Sequence, residues 1–171
     1  MGGSLESLPS PAGFALGPRL DVGVGVGPLV GLVSESMRFG VGGPLSMLMF
    51  DVGLGAGWGA PYAPDRSVGA LVIGGFEWVS AYQSGGGPNG SQTASSGVIG
   101  IGLRTATRVE TTAVWFGVDG RYRFEPPLLG APFDVALPRI GFVFSAGVML
   151  LADGARGKPA GSGNGELAVA P

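Results

Sequence analysis

The chain has 171 residues, of which 45% are apolar and only 13% are charged, with ten basic and twelve acidic side chains. A net charge of −2 supplies no basic field for a phosphate backbone, which argues against nucleic acid as a partner. The sequence contains no His and no Cys, which removes Ser-His-Asp hydrolysis, His-ligated zinc, disulfides and thiol chemistry. We therefore expect no enzyme activity, no cofactor and no metal site.

The 35 glycines and 14 prolines would ordinarily indicate a disordered chain. Many of the glycines, however, alternate with apolar residues. Between Thr112 and Phe124 the even positions are apolar, aromatic or small, whereas the odd positions include Gly117 and three charges. Only an extended strand sends alternate residues to opposite faces. This period of two predicts β-strands with one apolar face and one face of glycine and charge.

The same alternation occurs in six segments, at residues 18–33, 48–58, 67–82, 98–108, 109–124 and 134–151. Pro28 interrupts the first segment, because proline cannot donate to a strand ladder, and leaves open whether that segment is one strand or two. Residues 38–43 could add a further short strand, and Ser34, Glu35 and Ser36 are predicted to form a turn. Six strands are therefore clear, and there are eight if residues 18–43 contain another pair.

The connections between these segments differ in length: residues 34–43, 59–66, 83–96, a tight turn near Val109, and 125–133. An up-and-down barrel with both termini on one side places its longer connections on the other side. The Gly-rich stretch 83–96 is predicted to be an exposed, flexible loop and the main contact surface. The chain divides into a flexible lead-in (residues 1–17), a barrel domain (18–151) and a disordered tail (152–171). Residues 1–11 lack the basic and apolar regions of a signal peptide.

The segments F-D-V-G-L-G-A-G-W (residues 50–58) and F-G-V-D-G-R-Y-R-F (residues 116–124) resemble strands of the small outer-membrane β-barrels of Gram-negative bacteria, the OmpA-like and OmpW-like transmembrane domains. The resemblance covers residues 18–151. It implies an all-β, antiparallel up-and-down β-barrel, expected to have eight strands, in the bacterial outer membrane and in contact with lipid. It also implies a structural or surface role, or a minor porin-like channel activity for a small solute.

The glycine-bearing faces of such a barrel would converge in its lumen. They would bring together four acids and four bases: Asp21, Asp51, Glu77, Arg104, Asp119, Arg121, Arg123 and Arg139. We predict that these charges form a salt-bridge network that fills the lumen, because an uncompensated buried ion is costly. A narrow polar conduit or a ligand-lined interior is the alternative. Trp115 lies on the same face and is predicted to plug the lumen rather than to stack on a ligand.

Five aromatic residues lie on the opposite, apolar face, where a membrane barrel would place its interfacial aromatics: Trp58, Trp78, Tyr82, Tyr122 and Phe124. In a soluble protein the same residues would form the core. Two other hypotheses therefore stay open, a soluble lipocalin-like β-barrel or sandwich that binds an apolar ligand, and a self-assembling β subunit. The membrane hypothesis is favoured, because so few charges would leave a soluble protein with a large exposed apolar surface.

Overall fold

The structure, a computed structural model, describes residues 1–8, 13–41, 45–83, 91–130, 133 and 135–150. All regular secondary structure in these residues is β-strand. The strands are β1 (Gly2–Ser7), β2 (Phe14–Val26), β3 (Leu29–Val41), β4 (Leu45–Ala63), β5 (Arg66–Gln83), β6 (Ser91–Val109), β7 (Thr112–Arg123), β8 (Leu128–Leu129), β9 (Val135–Ala136) and β10 (Ile140–Leu150). The described part of the chain holds no helix that is long and apolar enough to cross a membrane.

Eight of the described strands, β1 to β7 and β10, close into a barrel in the order β1-β10-β7-β6-β5-β4-β3-β2, and β2 pairs again with β1. Every neighbouring pair is antiparallel. The predicted fold, an antiparallel up-and-down barrel of eight strands, is therefore confirmed. β8 and β9 form a separate two-stranded hairpin in the connection between β7 and β10.

The barrel strands are tilted relative to the barrel axis. Cross-strand partners followed from Gly25 of β2 once around the barrel lead back to β2 at Ala15, ten residues away along the strand. With ordinary strand spacing and rise, an offset of this size over eight strands corresponds to a tilt of about 40°. Because of this tilt, side chains at the same height in the lumen are not cross-strand partners. Across the barrel their positions differ by several residues from the pairing register.

The two ends of the barrel differ in their connections. At one end, here called the turn end, β2–β3, β4–β5 and β6–β7 are joined by two-residue turns. Gly27 begins the first of these turns with φ 60°, a backbone conformation that glycine adopts without strain. Met1 and Leu150 also lie at the turn end. The opposite end, here called the loop end, carries the longer connections, including residues 124–139.

The alternation read from the sequence is present in the barrel wall. Along β7, Val114 and Phe116 point outward and are exposed, whereas Ala113, Trp115 and Asp119 point into the lumen and are buried. Along β2, β4, β5, β6 and β10 large apolar residues likewise face outward, and glycine and charged residues face inward at mid-height, whereas some inner positions towards the two ends of the lumen, such as Met49 and Leu71, are apolar. The barrel therefore has an apolar outer wall and a polar interior at mid-height.

The prediction of a flexible lead-in at residues 1–17 is wrong for residues 2–7 and 14–17, which belong to strands. Gly2–Ser7 form β1, which pairs with both β10 and β2 and closes the barrel. β2 begins at Phe14, before the predicted domain start at residue 18. A six-residue strand is too short to show a period of two, although Leu5 is exposed while Ser4 and Glu6 are buried.

The predicted turn at Ser34, Glu35 and Ser36 is also wrong. The chain reverses at Gly27 and Pro28, so residues 18–33 belong to two strands, and Ser34 to Ser36 lie in the middle of β3. Even-numbered residues face outward in β2 but inward in β3, because the turn changes which parity meets the lumen. Val30 and Leu32, expected on the outer face, are consequently buried.

Two further boundaries differ from prediction. β5 extends to Gln83 and β6 begins at Ser91, so residues 83 and 91–96 of the loop predicted at residues 83–96 are strand, and residues 84–90 lie outside the described residues. The last barrel strand begins at Ile140 rather than at residue 134. The tail predicted to be disordered, residues 152–171, lies outside the described residues.

An apolar cluster closes the lumen at the loop end. Leu129, Phe133 and Leu137 of the β7–β10 connection pack against inward-facing residues of the wall, among them Met49 and Val79. We call the described residues of this segment, 128–130, 133 and 135–137, the cap. A smaller apolar cluster of Val30, Leu32 and Leu71, with Ile73 packed against it, lies nearer the turn end. The charged part of the lumen is therefore bounded by apolar side chains on both sides.

Candidate functional site

The inward-facing charges form two ion-paired clusters in the lumen. The upper cluster, nearer the loop end, consists of Glu6, Arg38, Asp51, Glu77, Arg121 and Arg123. The lower cluster consists of Arg19, Asp21, Arg104 and Asp119. The side chains of all ten residues are largely or fully buried. Acids and bases are equal in number within each cluster, so neither carries a net charge.

Arg38 of β3 is the centre of the upper cluster. Its Nη1 donates to Glu6 Oε2 of β1, and its Nη2 donates to Asp51 Oδ2 at 2.5 Å and to Glu77 Oε2 at 3.1 Å. Ser36 Oγ donates to the same Asp51 oxygen at 2.6 Å. One guanidinium therefore connects carboxylates from three other strands, which only a planar group with several fixed donors can do.

Arg123 and Arg121 of β7 supply the other two positive charges of the upper cluster. Arg123 Nη2 donates to Glu6 Oε1 at 2.7 Å and to Glu77 Oε2 at 2.9 Å, and its Nη1 donates to the Pro138 carbonyl at 3.0 Å. Arg121 Nη1 lies 3.2 Å from Asp51 Oδ2. Because Pro138 belongs to the connection that carries the cap, Arg123 ties that connection to the charged lumen.

Asp119 is the centre of the lower cluster. It accepts from Arg19 Nη1 at 2.7 Å and from Arg104 Nη2 at 3.0 Å. Arg19 also pairs with Asp21 at 2.9 Å through Nε and donates to Ser145 Oγ of β10 at 3.1 Å. Trp115, only 2% exposed, lies beside both guanidinium groups, 6.0 Å from that of Arg19 and 5.6 Å from that of Arg104. These distances permit cation–π attraction between buried groups.

Glycines on the inner wall provide the space that these long side chains occupy. A Cβ at Gly117 would collide with the Arg104 side chain, and a Cβ at Gly102 would collide with Asp119 Oδ1. At Gly141 a Cβ would lie 2.7 Å from Glu6 Oε1. In an eight-stranded barrel the interior is just wide enough to be filled by side chains. The inner glycines and the inner charges therefore depend on each other.

The lumen has little free volume at the level of the ion pairs. A cavity of about 20 Å³ is bordered by Ser34, Asp51, Asp119 and Arg121, which is room for about one water molecule. Among the described residues, no group of three or more acidic side chains is arranged to hold a metal ion. The arrangement is chemically suited to charge neutralisation and rigidity, since every carboxylate in it faces an arginine.

The structure brings together seven of the eight residues predicted to form the lumen network: Asp21, Asp51, Glu77, Arg104, Asp119, Arg121 and Arg123. The prediction is wrong for Arg139. This residue precedes β10 and is exposed, and its Nη1 donates to Tyr122 Oη at 3.0 Å on the outside of the barrel. The alternation of β10 does not extend to Arg139, because the strand begins at Ile140.

Three members of the network were not predicted, namely Glu6, Arg19 and Arg38. Arg19 shares its parity with Asp21, which was a sufficient signal to include it. Arg38 follows Ser34 and Ser36 on one face of β3, a small-polar pattern obscured by Glu35 on the other face. Glu6 lies in a strand too short to show its period.

The five predicted interfacial aromatics are all exposed on the outer wall. Tyr122 pairs with Ile140 at the start of β10 and so lies near the loop end, as do Phe124, Trp78 and Tyr82. Trp58 pairs with Leu29 at the start of β3 and lies near the turn end. Aromatic side chains are thus present towards both edges of the apolar wall.

Neither a protein-family model nor a curated protein or solved structure matches this chain. The fold and its interior therefore define the class by themselves. The chain is a closed, eight-stranded antiparallel barrel with an apolar outer wall and an ion-paired, filled lumen.

Arg38→Met should destabilise the barrel by about 3–5 kcal/mol, because it leaves three buried carboxylates without their shared cation. Arg139→Met is the matched control and should change the free energy of unfolding by no more than about 0.5 kcal/mol, since Arg139 is exposed. Denaturant titration of the refolded protein, followed by tryptophan fluorescence, measures both. Equal effects of the two substitutions would contradict the role given to the upper cluster.

Gly117→Val should cost about 1–3 kcal/mol by overpacking against Arg104. Gly120→Val, three residues along the same strand but on the outer wall, should cost nothing, because its Cβ would meet Phe142 at 3.6 Å and the Ile101 carbonyl oxygen at 3.9 Å, both ordinary contact distances. Denaturant titration followed by tryptophan fluorescence measures the free energy of unfolding of both variants. If Gly120→Val were the more damaging of the two, the inner glycines would not be reserving space for the arginines.

Proposed function

We propose that this chain is an outer-membrane β-barrel protein of a Gram-negative bacterium, with a structural or surface role and a closed lumen. The observation that carries the proposal is the distribution of polarity in the barrel wall. Large apolar side chains are exposed on the outside of all eight barrel strands, while the ion pairs lie inside. This is the arrangement of a barrel whose outer wall faces lipid.

The extent of the outer apolar surface supports lipid as its environment. Large apolar side chains are exposed on every barrel strand, for example Leu5, Val24, Leu54, Ile101 and Phe144. Soluble monomers rarely expose contiguous apolar patches larger than a few hundred Å². Except for β1, the barrel strands have 11 to 19 residues, and about ten tilted residues are enough to cross a bilayer.

The filled lumen favours a structural or surface role over conduction. Two neutral clusters of ion pairs cross the interior, and the cap covers the loop end. The same filling weighs against the soluble-carrier hypothesis, because the interior at mid-height offers charged groups rather than an apolar cavity. The short connections and Met1 would face the periplasm, and the loop end would face outward.

The proposal is tested first by refolding the chain into detergent micelles and comparing boiled with unboiled samples on an SDS gel. We expect a heat-dependent change of mobility, which reports a detergent-resistant barrel, and recovery of the folded form with lipid vesicles after flotation. A chain that is monodisperse in buffer without detergent would overturn the proposal, since its apolar wall would then have to be covered by other means.

Ile101→Arg should impair the stability of the inserted barrel by about 2–4 kcal/mol, because Ile101 lies outward near the middle of β6. Val109→Arg is the matched control on the same face of the same strand. Val109 is the last residue of β6, so its arginine reaches the interface and should cost about 0–1 kcal/mol. Unfolding titrations in vesicles measure both, and equal costs would count against a lipid-facing belt.

The refolded protein should give no stepwise current in planar bilayers, because ion pairs occupy the lumen at mid-height and the cap packs against the inner wall at the loop end. Samples that show the heat-dependent gel shift are the ones to be measured, so that absence of current is not absence of folding. Reproducible single-channel steps would instead support the minor channel activity expected from the family resemblance.

A further inference from the structure

Glu35 is an exception to the polarity of the outer wall. It is the central residue of β3 and is exposed on the outside of the barrel. In the described parts of the eight barrel strands, the only other outward-facing charge is Arg66, which is the first residue of β5 at the turn end. A carboxylate at mid-height in a lipid-facing wall is costly unless it is paired.

No described residue near Glu35 on the barrel neutralises it. Its cross-strand partners are Leu20, the central residue of β2, and Val52 of β4. Val33 and Met37 precede and follow it on the same face of β3. No ion pair within the described residues includes Glu35, whereas each of the ten charged residues of the two lumen clusters has at least one.

A second acceptor lies beside Glu35. The ladder between β2 and β3 is interrupted at Gly17 and Pro18, between the pairs Leu16–Phe39 and Arg19–Ser36. The Met37 carbonyl points towards β2 here, since a Cβ at Gly17 would collide with its oxygen. Pro18 has no N–H to donate to this carbonyl. The Met37 carbonyl is therefore a second hydrogen-bond acceptor two residues from Glu35, and it lies within the wall between β2 and β3, beside the inward-facing Gly17.

We propose that Glu35 and the Met37 carbonyl form a docking point for a lysine or arginine on the membrane-embedded surface of another protein. The inference rests on the proposed membrane location. Two acceptors in an apolar surround are complementary to a cation with several N–H donors. An ammonium or guanidinium carried on an apolar segment would pair with the carboxylate and satisfy the carbonyl in one contact.

The depth of Glu35 selects a protein as the occupant. Amine groups of lipids lie at the headgroup level, about 15 Å from the middle of the hydrocarbon core, and so do not reach the centre of β3. A second copy related by an axis along the membrane normal would bring one Glu35 against the other. The described outer wall also carries no cation at mid-height, so a second copy could not supply a partner for Glu35.

The experiment measures association with a designed probe in phosphatidylcholine vesicles. The probe is an apolar transmembrane peptide with one central lysine, and the control peptide has glutamine at that position. The barrel has no cysteine, so Asp65→Cys in the β4–β5 turn takes a single donor dye, and the peptides carry the acceptor. We expect energy transfer to report about 3- to 20-fold tighter association of the lysine peptide, the range of polar contacts between membrane segments.

Two variants test the site. Glu35→Gln should associate with both peptides equally. The double variant Glu35→Gln/Ile101→Glu moves the carboxylate to the other side of the barrel, where the ladders of β6 are continuous, and should bind the lysine peptide less tightly than the native chain does.

Three results would overturn the inference: equal association of the two peptides with the native chain, a lysine preference that persists in Glu35→Gln, or full binding by the double variant. Association is measured only in samples that show the heat-dependent gel shift and float with vesicles. If the native chain fails to insert at all, it is the proposed membrane location that fails, so the two failures are distinguishable.

Discussion

Charge compensation in the lumen is the constraint on which the rest of the structure depends. Ten ionised side chains from seven strands are removed from water, and leaving any one of them unpaired would cost several kcal/mol. A slip of one residue in any strand would turn its charges to the outer wall and its apolar residues into the lumen. The inward-facing ion pairs and the outward-facing apolar residues therefore specify the same strand register.

The unusual glycine content follows from the same constraint. An eight-stranded barrel has a narrow interior, and arginine is among the longest side chains. Where Arg104 and Asp119 meet, the neighbouring inner positions are Gly102 and Gly117, and a Cβ at either would collide with the pair. Glycine in a strand weakens it, so these positions give up local strand stability in return for space. A composition that would otherwise suggest disorder is here the consequence of a charged interior.

Much of this fold could be predicted from the sequence, because a long run of alternating residues shows which side chains of a strand face the lumen and which face outward. β4 and β7 are examples, and the inward position of Trp115 followed from parity alone. Prediction failed where that signal was short or inverted. β1 has six residues, and in β3 the outward Glu35 between the inward Ser34 and Ser36 resembles a polar turn. Pairing partners such as Glu6 and Arg123 could not be predicted, because they depend on the ten-residue offset that appears only when the barrel closes.

The failure at Glu35 differs in kind from the failure at β1. A strand that is too short hides a rule that it obeys, whereas Glu35 is a charged residue among described outward positions that are otherwise uncharged away from the strand ends. Local departures from an otherwise consistent pattern are expected where function imposes its own requirement. With the lumen occupied by neutral clusters, the surfaces on which this barrel can meet other molecules are the loop end and the outer wall. On the described outer wall, the charged residue that lies away from a strand end is in the middle of β3, next to the position where Pro18 interrupts the β2–β3 ladder.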